Sequence, residues 1–206
     1  MTNSEPFPPL TPKTSVVLFG PHGSARSRHA GELAKREGIC EVDASAFWGE
    51  SKKISSEDAI KRIREQLEQE RCQAGFALHH FPNNLPEQER FEKMIKDRFG
   101  ASHPFNQFKA VFLDVGRDPV GERLFKKQPI LERDNPEYDP YDPVNKDIIG
   151  RALTIGTGNW IYDKPPLLSH FMKTQREMLT VDALKPHQET TQDIIRIIRE
   201  ADDRKL

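Results

Sequence analysis

Short apolar runs recur along the chain and alternate with longer segments in which an apolar residue returns every three or four positions. Short apolar runs without polar alternation are typical of strands that are covered on both faces of a sheet. Five strands of this kind are predicted, at residues 15–19, 39–42, 75–78, 110–115 and 178–181. Each of them is therefore expected in the interior of the protein.

The segments between the strands carry the signals of helices. Ser55 offers a capping hydroxyl ahead of two acidic residues, and Pro86 suits the first turn of a helix. Helices are predicted at about 24–37, 55–67, 86–99, 119–127, near 148, at 166–173 and at 188–201. Because strands and helices alternate, we predict an α/β fold with a parallel sheet and helices on both faces.

Two segments depart from this pattern. Residues 1–14 contain four prolines and no hydrophobic period, so we expect an extended or disordered leader. Residues 128–143 contain four prolines and five acidic residues but a single arginine, which indicates an acidic loop inserted into the domain. The remainder, 15–206, is interpreted as one domain.

Charge and composition exclude several classes of protein. The chain of 206 residues has 31 Lys and Arg against 32 Asp and Glu, whereas dedicated nucleic-acid binders carry a basic excess. It has no apolar run of the ~20 residues that span a bilayer, and its first residues lack the apolar core of a secretory signal. Cys40 and Cys72 are too few for a disulfide framework or a structural zinc site, so we expect core residues. We expect an intracellular, cytoplasmic protein without nucleic-acid or membrane partners, although an organelle address stays open.

A candidate phosphate-binding loop follows the first predicted strand. The motif G-x-x-x-x-G-K-[ST] compares with Gly20-Pro21-His22-Gly23-Ser24-Ala25-Arg26-Ser27. The backbone amides of such a loop and the following helix N-terminus can hold an anion. The candidate nucleotide-binding residues are Gly20, Gly23, Ser24, Ala25, Arg26 and Ser27.

Two substitutions alter this motif. Ala25 replaces a glycine, and its Cβ narrows the turn and penalises a positive φ. Arg26 replaces the lysine, and its guanidinium keeps the charge but is longer, planar and forked. From these residues alone, a strand-to-helix turn without a ligand is an equal alternative.

The segment Gly75-Phe76-Ala77-Leu78-His79-His80-Phe81-Pro82-Asn83-Asn84-Leu85-Pro86-Glu87-Gln88 resembles the G-F-L-L-D-G-F-P-R-T-x-x-Q segment of adenylate kinases. Residues 111–115, 122–124, 166–168 and 181–186 are similar to later segments of that family, so the resemblance covers 15 to about 200. It implies the doubly wound, five-stranded parallel sheet of P-loop nucleoside monophosphate kinases. It also implies a monophosphate-binding segment at 43–73 and a lid at 128–146.

The departures from the family pattern fall on its functional positions. The family's strand-three aspartate, which helps to hold the magnesium shell, falls on His79, and the glycine after it falls on His80. The arginine that holds the monophosphate falls on Asn83, the threonine and arginine after strand two fall on Ala44 and Gly49, and one lid arginine has no counterpart. If the protein is active, the resemblance implies Arg26, Arg123, Lys127 and Arg151 as its catalytic cations.

Two functions are compatible with these losses. The first is a degenerate member of the family, with impaired or absent phosphoryl transfer, that acts as a nucleotide-binding, anion-binding or scaffold module. The alternative is an active kinase for an atypical nucleoside monophosphate, in which Arg26 replaces the motif lysine. ATP and magnesium stay open as cofactors, and the acidic lid is a candidate docking surface for a protein partner.

The histidines raise a separate question about metals. His22, His79 and His80 are predicted near the same end of the sheet, where three imidazoles could bind a transition metal. Adjacent residues of a strand point to opposite faces, however, so His79 and His80 should not share one ion. We therefore expect no metal site.

Overall fold

The computed structural model describes residues 14–20, 24–47, 55–114, 166–174, 176 and 178–204. One five-stranded sheet runs through it in the order β2-β3-β1-β4-β5, and every neighbouring pair is parallel. The strands are β1 Val16–Phe19, β2 Cys40–Asp43, β3 Phe76–His79, β4 Lys109–Asp114 and β5 Met178–Asp182. The predicted parallel sheet is confirmed, and each strand lies within a residue or two of its predicted position.

Helices connect the strands. They are α1 Arg26–Glu37, α2 Ser56–Leu67, α3 Leu85–Phe99, α4 at 166–173 and α5 His187–Asp203. The helices predicted at 119–127 and near 148 lie outside the described residues, as do residues 1–13 of the predicted leader and the whole predicted lid at 128–146. No helix in the described part of the chain is long and apolar enough to cross a membrane.

Local chemistry explains where two of the helices begin. The Ser55 hydroxyl accepts a hydrogen bond from the Asp58 N–H, at 3.1 Å, and so caps α2 as predicted. The Asn84 side chain accepts one from the Glu87 N–H, at 3.0 Å, and Pro86 follows inside the first turn of α3. Both helix starts are therefore fixed by residues that the sequence marks.

The sheet is buried on both faces because alternate strand residues enter two separate cores. In β1, Val17 and Phe19 pack with apolar residues of α2, α3 and α4. Val16 and Leu18 pack on the other face with residues of α1 and α5. Helices therefore cover both faces, as the doubly wound architecture requires.

A disulfide links Cys40 to Cys72, with a Cα–Cα distance of 4.8 Å. Cys40 opens β2, and Cys72 ends a short 3₁₀ helix, Glu70–Cys72, just before β3. Both cysteines are buried, as expected for core residues, but the bond between them was not predicted. It links the start of β2 to the segment that precedes the neighbouring strand β3.

A cluster of polar groups joins α1 to α5, on the face of the sheet that these two helices cover. The buried His29 ring packs against His187 at a centroid distance of 4.3 Å, with the rings tilted by 30°, and His29 Nδ1 contacts Thr191 Oγ1 at 2.9 Å. His187 Nε2 lies 2.6 Å from Glu32 Oε2. Burial and the nearby Arg28 charge lower the pKa of His187 below its ordinary value, despite the Glu32 carboxylate.

Reducing the disulfide is expected to destabilise the protein. The bond spans 32 residues, and closing a loop of that size in the unfolded chain is worth about 3–4 kcal/mol. We expect reductant to lower Tm by about 6–16 °C, measured by thermal unfolding with and without it. The Cys40→Ala/Cys72→Ala double variant is the control and should not respond to reductant. An equal Tm for the native chain in both conditions would contradict the bond.

Acidification is expected to weaken the contact between α1 and α5. Because the pKa of His187 is lowered in the folded state, the unfolded state binds more protons below pH ~6.5, and stability falls as the pH drops through that range. The variant His187→Gln should lose less Tm than the native chain between pH 7 and pH 5. Identical pH profiles for the two proteins would show that His187 does not carry this effect.

Candidate functional site

The ends of three strands place polar residues at one edge of the sheet. β1, β2 and β3 are adjacent and parallel, and the register sets both Leu18 and Asp43 beside His79. In open α/β sheets, ligands bind outside the carboxyl ends of the strands. The loop after β1 and the polar residues that end β2 and β3 therefore form the candidate site.

The described part of the loop after β1 is tightly packed. A Cβ added to Gly20 would lie 2.5 Å from Ser24 Oγ, so a side chain at position 20 would collide with the serine. The Ser24 hydroxyl is fully buried and has no hydrogen-bond partner among the described residues. A buried hydroxyl without a partner is costly, which leaves Ser24 able to bind a ligand that enters the loop.

Ala25 occupies the backbone conformation that the motif reserves for glycine. It is the N-cap residue of α1, with φ 60° and ψ 29° in the left-handed region, and its side chain makes no capping hydrogen bond. This conformation costs a non-glycine residue roughly 1–2 kcal/mol. The chain therefore keeps a left-handed residue at the start of α1 in spite of the substitution, against a steric penalty.

Arg26 begins α1 as a partly buried cation. Burial lowers its pKa to about 10, and no carboxylate among the described residues compensates its charge. A cation at a helix N-terminus also opposes the helix dipole, which favours an anion there. The loop therefore presents a positive charge that is desolvated and lacks a counterion within the described structure.

His79 and His80 meet side by side at the end of β3. His80 has a φ of 62°, outside the strand conformation, and its Nδ1 lies 2.9 Å from Nδ1 of His79. The expectation that the two imidazoles point to opposite faces is wrong, because strand alternation ends at His79. His22, the third histidine considered, lies outside the described residues.

Two carboxylates of β2 contact this pair. Asp43 Oδ1 lies 3.2 Å from His80 Nδ1 and 3.6 Å from His79 Nδ1, while Glu41 Oε1 lies 2.9 Å from His79 Nε2. Because an ionised carboxylate only accepts, His79 donates from Nε2 to Glu41, and its Nδ1 faces His80 and Asp43.

Burial and neighbouring charges keep this cluster in defined protonation states. Burial, followed by the positive charge of Arg26, lowers the pKa of His80 to about 4. Burial tends to raise the pKa of Asp43, but hydrogen bonds from Ser45 and His80 outweigh it and hold that pKa below its ordinary value. Near neutral pH, the cluster therefore presents a neutral His80 beside an ionised Asp43.

The segment after the histidines is held by local hydrogen bonds. The Asn83 N–H donates to Glu87 Oε2 at 2.8 Å, and Asn83 Nδ2 donates to the His80 carbonyl at 3.2 Å. The Ser56 hydroxyl donates to Glu87 Oε1 at 3.1 Å and joins α2 to the start of α3. Asn83 therefore supports the turn, and its side chain is hydrogen-bonded to the Glu87 carboxylate.

The described nucleotide-binding candidates lie between the end of β1 and the first turn of α1: Gly20, Ser24 and Ala25 precede the helix, and Arg26 and Ser27 begin it. Ser27 is exposed. The other candidates, Gly23, Arg123, Lys127 and Arg151, lie outside the described residues. Sequence reasoning missed Glu41 and Asp43. Their spacing of two in a short strand was the available signal, because such residues share one face.

Comparison with known proteins finds distant relatives of nearly the same length. The chain is similar to an adenylate kinase of Nitrobacter hamburgensis, at 23% identity over 90% of this chain and 92% of the relative. It is also similar to an adenylate kinase of a Cyanothece species, at 23% identity over 93% of this chain and 98% of the relative. An adenylate kinase of Thermobifida fusca is 25% identical over 86% of this chain and 94% of the relative. No model of a protein family matches the sequence.

Replacing Ala25 by glycine is expected to stabilise the protein. Glycine adopts the positive φ of 60° without the steric penalty, and its greater freedom in the unfolded chain offsets part of the gain. We expect Ala25→Gly to raise the free energy of unfolding by about 0.5–1 kcal/mol in urea titrations.

Gly38 provides the matched control for this substitution at the other end of α1. It has a φ of 65°, and an added Cβ would meet nothing within 4 Å. Gly38→Ala should therefore destabilise the protein by a similar amount, through backbone conformation alone. A loss of stability in Ala25→Gly would contradict the strained turn.

Proposed function

We propose that this chain binds a nucleotide without efficient phosphoryl transfer. The premise is its distant homology to the adenylate kinases over nearly its whole length, which supports membership of the nucleoside monophosphate kinase family. The observation that carries the proposal is Arg26, a desolvated cation at the phosphate loop without a carboxylate partner in the described structure. Its charge favours a phosphate, while the residues around it have lost the groups that transfer needs.

The binding half of the proposal rests on the turn between β1 and α1. The N-terminus of α1 attracts anions, and Arg26 adds a full positive charge beside it. The buried Ser24 hydroxyl supplies an additional donor that has no protein partner within the described chain. A phosphate group would compensate the Arg26 charge and accept the Ser24 hydrogen bond.

The second half of the proposal, that phosphoryl transfer is inefficient, rests first on the residue at the position where the family holds magnesium. Magnesium is bound through oxygen ligands and retained waters. Where the family has an aspartate, this chain has His79, whose two ring nitrogens are directed to Glu41 and to the His80 and Asp43 pair. These residues therefore do not fit a magnesium shell.

The acceptor side has changed as well. Phosphoryl transfer depends on positioning and on neutralising the charge of the phosphates. At the position of the family's monophosphate-binding arginine stands Asn83, which is hydrogen-bonded to Glu87. Removing one stabilising donor typically costs ~10²–10³ in rate, and several such losses are not additive. The combined changes support a degenerate member of the family.

Thermal unfolding with nucleotides tests the binding half. ATP at about 100 times its Kd adds about 2.7 kcal/mol of stability, which corresponds to a rise in Tm of about 5–11 °C. We expect Tm to rise with ATP concentration, with and without magnesium. Arg26→Ala should abolish the rise, whereas Lys35→Ala, an exposed position on the same helix, should retain it. A Tm that no nucleotide changes at millimolar concentration would favour a scaffold that has kept only the fold.

A turnover assay on the same samples tests the catalytic half. We expect no magnesium-dependent formation of diphosphate from ATP and any common nucleoside monophosphate. Arg26→Lys restores the motif lysine and should not restore turnover, because the residues at positions 79 and 83 remain changed. Turnover by the native chain with any acceptor would instead establish the alternative, an active kinase with Arg26 in place of lysine.

A further inference from the structure

We propose that Asp43, His79 and His80 form a binding site for one divalent transition-metal ion of the zinc type, with Glu41 orienting His79. This three-residue group, which we call the β2–β3 triad, joins the carboxyl ends of two adjacent strands. The proposal does not rest on nucleotide binding, because each residue of the triad lies outside the phosphate loop.

The geometry of the three ligand atoms carries the proposal. Nδ1 of His79, Nδ1 of His80 and Oδ1 of Asp43 form a triangle with sides of 2.9, 3.2 and 3.6 Å. A tetrahedral zinc ion at about 2.0 Å from nitrogen and oxygen ligands separates them by about 3.3 Å. The three sides lie within about 0.4 Å of that separation, and an ion that binds here displaces the proton of the hydrogen bond between His80 and Asp43.

Hydrogen bonds outside the triangle orient two of the ligands. The Nε2–H of His79 donates to Glu41 Oε1 at 2.9 Å, which makes Nδ1 the ring nitrogen that can bind a metal. Carboxylate–histidine contacts of this kind are typical of metal-binding histidines. Asp43 Oδ1 is held by the backbone N–H of Ser45, at 2.8 Å, and by the Ser45 hydroxyl, at 2.6 Å. The site is thus supported before any ion arrives.

Burial of the triad leaves one side open to a further ligand. The His79 side chain is fully buried, whereas His80 and Asp43 are 25% and 37% exposed. A metal bound to the three side chains could complete its coordination with a water molecule or a ligand oxygen from the exposed side. Three protein ligands and one open position are the pattern of zinc sites that act on a ligand.

The donor types select the class of metal. Two imidazole nitrogens and one carboxylate suit zinc, cobalt, nickel or copper, whereas magnesium prefers oxygen alone. The two cysteines of the chain cannot compete, because they are joined to each other. The substitution of the family's aspartate by His79 thus changes the class of ion that this edge of the sheet can bind.

Cobalt titration of the full chain tests the site. The protein is treated with chelator, kept free of reductant to preserve the disulfide, and titrated with Co²⁺. We expect visible absorption bands of a four-coordinate cobalt site that saturate at one equivalent and disappear when Zn²⁺ is added. Excess Mg²⁺ should leave the bands unchanged.

Substitutions within the triad test whether these residues bind the ion. His80→Gly removes one ligand and also relieves the positive φ of 62°, so this variant should fold at least as stably as the native chain. We expect His80→Gly and Asp43→Asn to lose the one-equivalent cobalt bands. Glu41→Gln keeps all three ligands, and we expect its affinity for cobalt to fall about 10–100-fold.

A second histidine–glutamate pair provides the matched control. His170 Nε2 contacts Glu92 Oε2 at 2.9 Å, as His79 contacts Glu41, but His170 is not part of the triad. His170→Gln should bind cobalt as the native chain does. The proposal is overturned if the native chain shows no one-equivalent site, if His80→Gly and Asp43→Asn bind cobalt unchanged, or if His170→Gln loses the bands equally.

Discussion

Burial of the parallel sheet on both faces is the constraint on which the rest of the structure depends. Apolar residues of β1 enter the core with α1 and α5 on one side and the core with α2, α3 and α4 on the other. Polar side chains are therefore concentrated where the strands end. The loop after β1, the two histidines and the β2 carboxylates share one edge of the sheet, outside the carboxyl ends of the strands, where ligands bind in open α/β folds.

This constraint also explains how much of the fold the sequence predicts. A strand buried on both faces has a continuous apolar run, so all of β1 and the centre of β4 stand out without any comparison. Ser55 and Pro86 mark helix starts through local chemistry, which acts over three or four residues. The resemblance to adenylate kinases supplied what such local signals cannot supply, namely the doubly wound arrangement of the five strands.

The candidate site was harder to predict because its decisive contacts are not local. The disulfide depends on β2 and β3 lying side by side. Two cysteines 32 residues apart in the sequence give no local signal that they are close in the fold. The contact between His79 and His80 depends on one positive φ, where the alternation of a strand no longer applies. Ala25 shows the reverse case, since the steric penalty was foreseen and the chain accepts it.

The proposed function separates nucleotide binding from phosphoryl transfer, because the two place different demands on this edge of the sheet. In the proposed function, Arg26 supplies the positive charge that nucleotide binding needs at the helix N-terminus. Transfer would also need a magnesium shell and an acceptor arginine, whose positions in the proposed alignment hold His79 and Asn83. Phosphorus-31 NMR of the native chain with ATP, AMP and magnesium tests this separation most directly in one sample. The account predicts that the ATP resonances shift or broaden when protein is added. It also predicts that no ADP signals grow over hours. Accumulation of ADP from ATP and AMP at the expense of both would contradict it.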